Sequence, residues 1–471
     1  MLEISIQEVS DRLNLDNPWW LLEDVLPHFA TMPERDYFPG FYALVTNRAV
    51  QRATILMGPR RVGKTVMIQQ AVRRLIRDGV PPRKILYVSV DTPTFTGQSL
   101  ERLVRLFLER NGLAPTDESY VFFDEIQYLR EWEIHLKDLV DAYRAIRFTA
   151  SGSAAAALRL KSAESGAGRF TDYTLPPLTF AEYLKFTGQE RELIAEPRMD
   201  AGNMKYQARD IVELNRQFVA YINHGGYPEA VMSEDIRRNA AQYLRRDIID
   251  KVLLRDLPSL YGISDIQELN RLFTTLAYHS GREISLEELS HSSNVEKNTI
   301  KRYLEYLEAA FLIFRVRRLD DAGRHFKRQR NFKVYLTNPS MRGALFNPVN
   351  VEDEAMGPLA ETAVFSQWFH SESMRSLHYA RWKDGEVDMV MLNQEKPSWA
   401  VEVKWTDRFA ERPGELTGLL SFARKTSLEE VLVTTRTKKA KVRVQERVIE
   451  FEPCALYCYG LGKNILRDKS S

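Results

Sequence analysis

The sequence predicts an α/β protein with two separate strand-and-helix modules joined by helical segments, and three observations predict it. Short apolar runs alternate with helical stretches between Ala53 and Phe148. A glycine-punctuated octapeptide, "GPRRVGKT" from Gly58 to Thr65, stands between the first of those runs and the first long helix. The alternation resumes beyond Gly357. Apolar runs of this length, interleaved with helices, read as parallel strands covered on both faces.

Composition sets limits on this reading. A hydrophobic share of 44% with 28% charged residues is that of a globular chain, and 471 residues allow about three domains. Cys454 and Cys458 are the only thiols, too few for a disulfide framework or a four-ligand zinc site, so both read as small buried hydrophobes. The amino terminus carries acids where a secretory signal needs cations, and no apolar run approaches about 18 residues. A cytoplasmic protein without a membrane partner is expected. A net charge of +2 says little about partners, so a nucleic-acid argument rests on where cations cluster, which is beyond Phe311.

In chain order, Asn17-Pro18 reads as a cap with proline at the first helical position, opening a short helix through "WWLLEDVL". "ATILMG", "KILYVSVD", "YVFFDE" and "IRFTAS" are the predicted parallel strands, with "VMIQQAVRRLIRDG" and "LERLVRLFLERNG" as helices between them. "YTLPPLTFAEYLKF" leaves that sheet and enters a helix, and "GQERELIAEPRMDAGNMKYQARD" is polar enough to be a linker. A helical stretch then carries "HGGYPEAV" and "YLRRDIIDKVLLRDLPSL". "EISLEELSHSSNVEKNTIKRYLEYLEAAFLIFRVRRL" reads as two short helices, a turn and a strand. The last module has the strands "LHYARW", "EVDMVML", "WAVEVKW" and "EVLVTT" with the helix "ELTGLLSFAR".

The octapeptide is the sharpest motif. Glycines at 58 and 63 let backbone N–H groups curl round phosphates at the positive end of the following helix, and Lys64 reaches toward the β and γ phosphates. The cofactor-binding candidates are therefore Gly58, Pro59, Arg60, Arg61, Val62, Gly63, Lys64, Thr65 and Val66. Thr65 is a magnesium ligand candidate. About sixty residues on, "YVFFDE" ends in two acids, with Asp124 placed for the magnesium shell and Glu125 for polarising an attacking water. Without an "NKxD"-like guanine reader, ATP with Mg2+ is the expected cofactor. Ser151 and Ser153 close the next strand as candidate sensors of the γ-phosphate or as caps of a following helix. Arg169 is a candidate finger or nucleotide sensor, or else a surface arginine paired with an acid.

"GPRRVGKT", "FFDE", "SGS", "AGRF…LPPLTFAEYL" and "GGYPEAV", in that order, resemble the AAA+ family ATPases of bacteria and archaea that carry a C-terminal domain shaped like a restriction endonuclease. The resemblance runs from about Gly40 onward. It implies an AAA+ P-loop domain with a parallel sheet (residues 1–190 with the lead-in helix), a helical lid (191–262), a winged helix (263–340) and a restriction-endonuclease-like α/β domain of the PD-(D/E)XK kind (341–471). The family pattern has an aspartate in the strand end "YLTNP", where this chain has Asn338.

In the expected winged helix, Val295, Ile300, Leu304 and Leu307 form a buried stripe, which turns Lys297, Asn298, Lys301 and Arg302 outward. The following strands supply Arg315, Arg317, Arg318, Arg324, Lys327, Arg328 and Arg330 as a basic wing suited to DNA phosphates. Winged helices also dock proteins, so both partners stay open. In the last module Asp388, then Glu402-x-Lys404, with Glu361 on the preceding helix, is the constellation of a magnesium-dependent nuclease. Glu361, Asp388 and Glu402 are the metal candidates, and Lys404 would orient the attacking water. Cutting and a silent docking platform are both open, as are a monomer and a homo-oligomer. The expected function is ATP-driven processing of DNA; the rivals are a nucleotide-controlled switch that docks a protein and an ATP-licensed endonuclease.

Overall fold

The computed structural model describes residues 4–95, 97–153, 168–200, 203–326 and 330–470. The chain forms two compact units, residues 1–175 and 176–469.

The first unit holds a five-stranded sheet of β1 (Ala53–Met57), β2 (Ile85–Ser89), β3 (Ser119–Asp124), β4 (Ile146–Gly152) and β5 (Phe170–Thr174). All pairings are parallel, in the order β2-β3-β4-β1-β5. β1 and β3 are buried along their whole length, which is why they read as unbroken apolar runs. Helix α2 (Lys64–Arg77) follows β1 and buries Met67, Ile68, Ala71, Val72 and Leu75. Helix α3 (Leu100–Asn111) opens on Ser99, whose hydroxyl accepts from the Arg102 N–H, and stops at Gly112 in a left-handed conformation. Helix α4 (Trp132–Ala142) completes the set.

β2 is an edge strand, and the lead-in segment covers its outer side. After α1 (Ile6–Asp16), the buried Asn17 amide accepts from the Tyr87 N–H at 2.6 Å and donates to the Tyr87 carbonyl at 2.9 Å, acting as one residue of a strand. The indole N–H groups of Trp19 and Trp20 both donate to the Ile85 carbonyl. An edge paired in this way cannot template another chain.

The second unit is built on a nine-stranded sheet of β6 (Glu283–Ser285), β7 (Ile313–Leu319), β8 (Asn331–Leu336), β9 (Leu377–Trp382), β10 (Gly385–Asn393), β11 (Lys396–Glu402), β12 (Glu430–Thr435), β13 (Ala440–Val444) and β14 (Arg447–Pro453). Their order is β13-β14-β12-β11-β10-β9-β7-β8-β6. Helices α5 (Phe180–Phe186), α6 (Ile211–His224), α10 (Met356–Trp368) and α12 (Cys454–Ser470) pack into one apolar core with it, where Cys454 and Cys458 are buried. Helix α11 (Thr417–Lys425) lies on a second core.

Helices α7 (Ile266–Tyr278), α8 (Leu286–Ser293) and α9 (Lys297–Ala309) precede β7, and Val295, Ile300, Leu304 and Leu307 are buried. The expected wing differs from a free hairpin. β7 pairs antiparallel with β8 on one side and parallel with β9 on the other, from His378↔Arg317 to Ala380↔Leu319. The hairpin tip is also tied down: Asp321 pairs with Lys425, and His325 lies 3.2 Å from Glu395. Edge-strand pairing of this kind has no local sequence signal, because any strand with open N–H and C=O groups can accept a neighbour. The stretch expected as a linker carries a small hairpin, Arg198–Asp200 with Asn203–Lys205.

The motifs "LPPLTFAEYL" and "GGYPEAV" meet in a buried hydrogen-bond network. The Tyr221 hydroxyl donates to the Leu178 carbonyl at 2.9 Å and accepts from the Asn338 and Gln367 amides. Gln367 in turn accepts from the Phe180 N–H at 3.1 Å, and the Leu178 N–H donates to Gly226. A Cβ at Gly226 would lie 2.4 Å from the Asn338 side chain, so glycine is required for this approach. Asn338 itself bonds Ser340, a structural task that its amide performs without charge.

Candidate functional site

At the C-terminal end of β1 the octapeptide turns into α2 through Gly63, at φ 97°. Gly58 is equally constrained, since a Cβ there would sit 2.2 Å from the Leu175 carbonyl oxygen. The Lys64 ammonium is buried and donates to the carbonyls of Gly58 and Pro59 at 3.1 and 2.9 Å, curled over its own loop. Arg60 donates to the Tyr128 hydroxyl, and the Val62 carbonyl accepts from Arg35 at 3.0 Å. Arg61 holds φ 65° and Val66 continues the helix.

The Thr65 hydroxyl donates to Asp124 at 2.6 Å, joining the head of α2 to the tip of β3. Asp124 also accepts from the hydroxyls of Tyr87 and Ser151 and from the Glu125 N–H. Glu125 holds φ 54°, and its carboxylate accepts from Gln127, whose carbonyl takes the Ser153 N–H. Burial raises the Glu125 carboxyl above its usual range, with Lys64 working against that shift. The Ser153 hydroxyl is buried and makes no hydrogen bond among the described residues.

These residues fit magnesium and a triphosphate. An alcohol and a carboxylate in contact at a helix N-terminus are the donors that magnesium shares with phosphate oxygens, and an orphaned hydroxyl at the end of β4 offers one more donor. Tyr87 had no sequence signal, because parallel strands far apart in the chain do not announce their pairing, and Gln127, two residues beyond Glu125, belongs to no motif of its own. Arg169 is placed elsewhere. It precedes β5 at the edge where the strands begin, its carbonyl taking the N–H of Ala53, and its guanidinium pairs with Asp141. Strand rise over β1 separates it from the octapeptide by about 16 Å, and its pair with Asp141 is the surface ion pair that the sequence also allowed.

In the second unit, Asp388 on β10 and Glu402 and Lys404 around the end of β11 do come together. Lys404 Nζ lies 2.7 Å from Glu402 and 3.7 Å from Asp388. A residue the motif does not contain dominates the cluster. Lys333, on β8, has a side chain only 3% exposed and lies 2.9 Å from Glu361, 2.6 Å from Glu386 and 3.5 Å from Asp388. Tyr335 donates to Glu361 as well, at 2.5 Å. Burial opposes the charge on Lys333, but Glu361, Asp388 and Glu386 outweigh it and hold the ammonium well above its usual range. Burial pushes Glu361 up to about 7, with Lys333 opposing. Glu402 is pushed up to about 8 by burial and by the Asp388 charge.

Magnesium does not fit this cluster as it stands. Among the described residues no group of three acidic, histidine or cysteine side chains is arranged to hold a metal ion, and the point on which Glu361, Glu386 and Asp388 converge is filled by the Lys333 ammonium. Asp388 spends one oxygen on Lys333 and the other on the Val403 N–H at 2.9 Å, so the metal would have to displace ammonium groups to find ligands. The Glu402 Oε2 atom is the orphan of the group. In front lies a cavity of about 450 Å³ lined by Glu352, Asp353, Glu354, Glu361, Asp388 and Lys404, among others.

The basic residues are scattered in their engagements. Lys297 pairs with Glu287, Arg315 with Glu308, Arg318 with Glu283 and Arg324 with Asp320. Asn298 bonds Glu296, and Arg302 approaches Thr299. Lys301, Arg302, Arg317 and Arg330 are exposed. Lys327 and Arg328 lie outside the described residues.

A parallel five-stranded sheet with a phosphate loop after its first strand and paired acids after its third defines an α/β P-loop protein, with the strand of Ser151 lying between those two. Comparison with known families agrees: residues 50–184 match the model described as an AAA domain, and residues 215–352 match one described only as a domain of unknown function. The match to an AAA domain thus falls mainly on the first unit, whose parallel sheet and phosphate loop it contains. Relatives include an uncharacterized protein of Methanocaldococcus jannaschii, 24% identical over 75% of this chain and 76% of its own. Another, uncharacterized and from Mycobacterium tuberculosis, is 26% identical over 76% of this chain and 72% of its own. Among solved structures, AMPPCP-bound DnaA from Aquifex aeolicus covers 62% of this chain and 92% of its own at 14% identity and TM-score 0.28. The S. cerevisiae Hsp104–ADP complex covers 64% and 40% at 11% identity and TM-score 0.30. Likenesses this slight carry no argument. Among the described residues no helix is long and apolar enough to cross a membrane.

Proposed function

We propose that this protein hydrolyses ATP at the loop of residues 58–65 and uses the energy to process DNA bound by its second unit, as in repair, the handling of branched DNA or defence against foreign DNA. The observation that supports hydrolysis most is the contact of Thr65 with Asp124 beside a buried Glu125. Thr65 and Asp124 would hold magnesium, which when bound neutralises phosphate charge. Lys64 would exchange its bonds to the Gly58 and Pro59 carbonyls for phosphate oxygens held at the N-terminus of α2. Glu125, raised by burial, accepts a proton from the attacking water more readily than an exposed carboxylate does. Ser151, bonded to Asp124, and Ser153, with its buried hydroxyl, would report on the γ-phosphate.

The DNA part rests on the exposed cations Lys301, Arg302, Arg317 and Arg330, a set suited to phosphate contacts rather than base reading. ATP turnover with and without duplex and branched DNA tests it. DNA should speed turnover several-fold, and the double change Lys301→Ala, Arg302→Ala should remove the acceleration while basal turnover persists. A rate indifferent to every DNA moves the proposal to its rival, a nucleotide-controlled switch that docks a protein. One observation favours that rival: Lys297, Arg318 and Arg324 are already committed to acids of their own chain.

A further inference from the structure

We propose that Lys333 is a built-in cation occupying the place among Glu361, Glu386 and Asp388 that a metal ion would need, so that the carboxylate cluster of the second unit works without magnesium as a fixed ion-pair core. The ammonium reaches Glu361 on α10 and Glu386 and Asp388 on β10, gathering acids from two elements onto β8. The same ammonium lies over the Tyr379 ring, 5.4 Å from its centroid. Tyr379 donates to Glu283 on β6, and Glu283 pairs with Arg318 on β7, so the network spans the strands on both sides of the β7–β9 seam. The charge that holds these acids together is thus covalently part of the sheet.

Two further observations point the same way. The Lys404 ammonium neutralises the Asp388–Glu402 side of the cluster, leaving Glu402 Oε2 as the orphan atom, which is one ligand and not a metal site. The cavity leading to the cluster is lined by Glu352, Asp353 and Glu354, and Arg436, also in its wall, is paired with Glu352. An acidic approach repels the polyanion that a nuclease must admit. This inference does not depend on the ATPase proposal.

Metal uptake by the nucleotide-free full-length chain tests it, with MnCl2 alone as the probe, read by electron paramagnetic resonance and calorimetry. The wild-type chain should take up no stoichiometric Mn2+ at this cluster, so that its titration coincides with that of Asp388→Asn. Lys333→Ala should gain one Mn2+, and the double change Lys333→Ala, Asp388→Asn should lose it again. Stoichiometric uptake by the wild type that disappears in Asp388→Asn overturns the proposal, as does magnesium-dependent cleavage of DNA that disappears in Glu402→Ala. A folded Lys333→Ala chain that gains no Mn2+ overturns it too, because the ammonium would then not be filling a cation's place. If Lys333→Ala does not fold, Lys333→Met replaces it, and the wild-type titration still decides.

Discussion

At the residue scale, Asp124 and Lys333 are the two hubs, one collecting neutral donors and the other collecting charge. Asp124 gathers Thr65, Tyr87 and Ser151, which fixes the acid against the phosphate loop before any nucleotide arrives. Glu125 follows it in a left-handed backbone conformation, and the proposed hydrolysis gives the two acids separate tasks. Glu125→Gln is therefore expected to keep nucleotide binding and to lower the hydrolysis rate on the order of 10²–10⁴-fold, measured by single turnover. Around Lys333, removing the ammonium strips Glu361, Glu386 and Asp388 of the counter-charge they share, and Lys333→Ala should cost about 3–5 kcal/mol in denaturant unfolding of the second unit. pH acts through the same cluster. Glu402 and Glu361 have folded values near 8 and 7 against about 4.5 in an ordinary setting, so between those limits the folded unit binds more protons than the unfolded chain. Stability of the second unit should therefore fall as pH rises from about 4.5 to 8. The fall should be smaller in Glu402→Gln, which keeps the neutral form at every pH, and an unchanged slope would contradict the assignment. Much of the first hub was legible: the octapeptide and the paired acids announce themselves by type and spacing. Lys333 was not, because a lysine in a strand reads as a solvated position, and only the fold reveals that β8 faces Glu361 and Asp388.

At the element scale, the sheet of the first unit was readable because buried parallel strands are apolar throughout. The second sheet was readable only in pieces. β7 and β8 carry their own hairpin pattern, and β9 to β12 theirs, but the parallel seam between β7 and β9 has no sequence mark, so a separate wing was the natural expectation. Two elements test the packing. Asn17→Ala removes both bonds to Tyr87 and uncovers the edge of β2, at an expected cost of about 1–3 kcal/mol to the first unit. Gly226→Ala drives a methyl group into Asn338 and should destabilise the second unit by about 1–3 kcal/mol. Chemical unfolding followed separately for each unit measures both, and effects confined to the opposite units would contradict these placements.

At the scale of the whole molecule, the chain has a unit that carries most of the match to an AAA domain and a larger unit in which two apolar cores pack on one nine-stranded sheet. The phosphate loop lies in the first unit, and the exposed cations Lys301, Arg302, Arg317 and Arg330 lie in the second. The most direct test of the central claim is steady-state ATP hydrolysis by the full chain with magnesium, compared with Lys64→Ala. The account predicts turnover in the wild type and its loss in the variant; turnover that survives in Lys64→Ala, or a wild type that neither binds nor hydrolyses ATP, would contradict it.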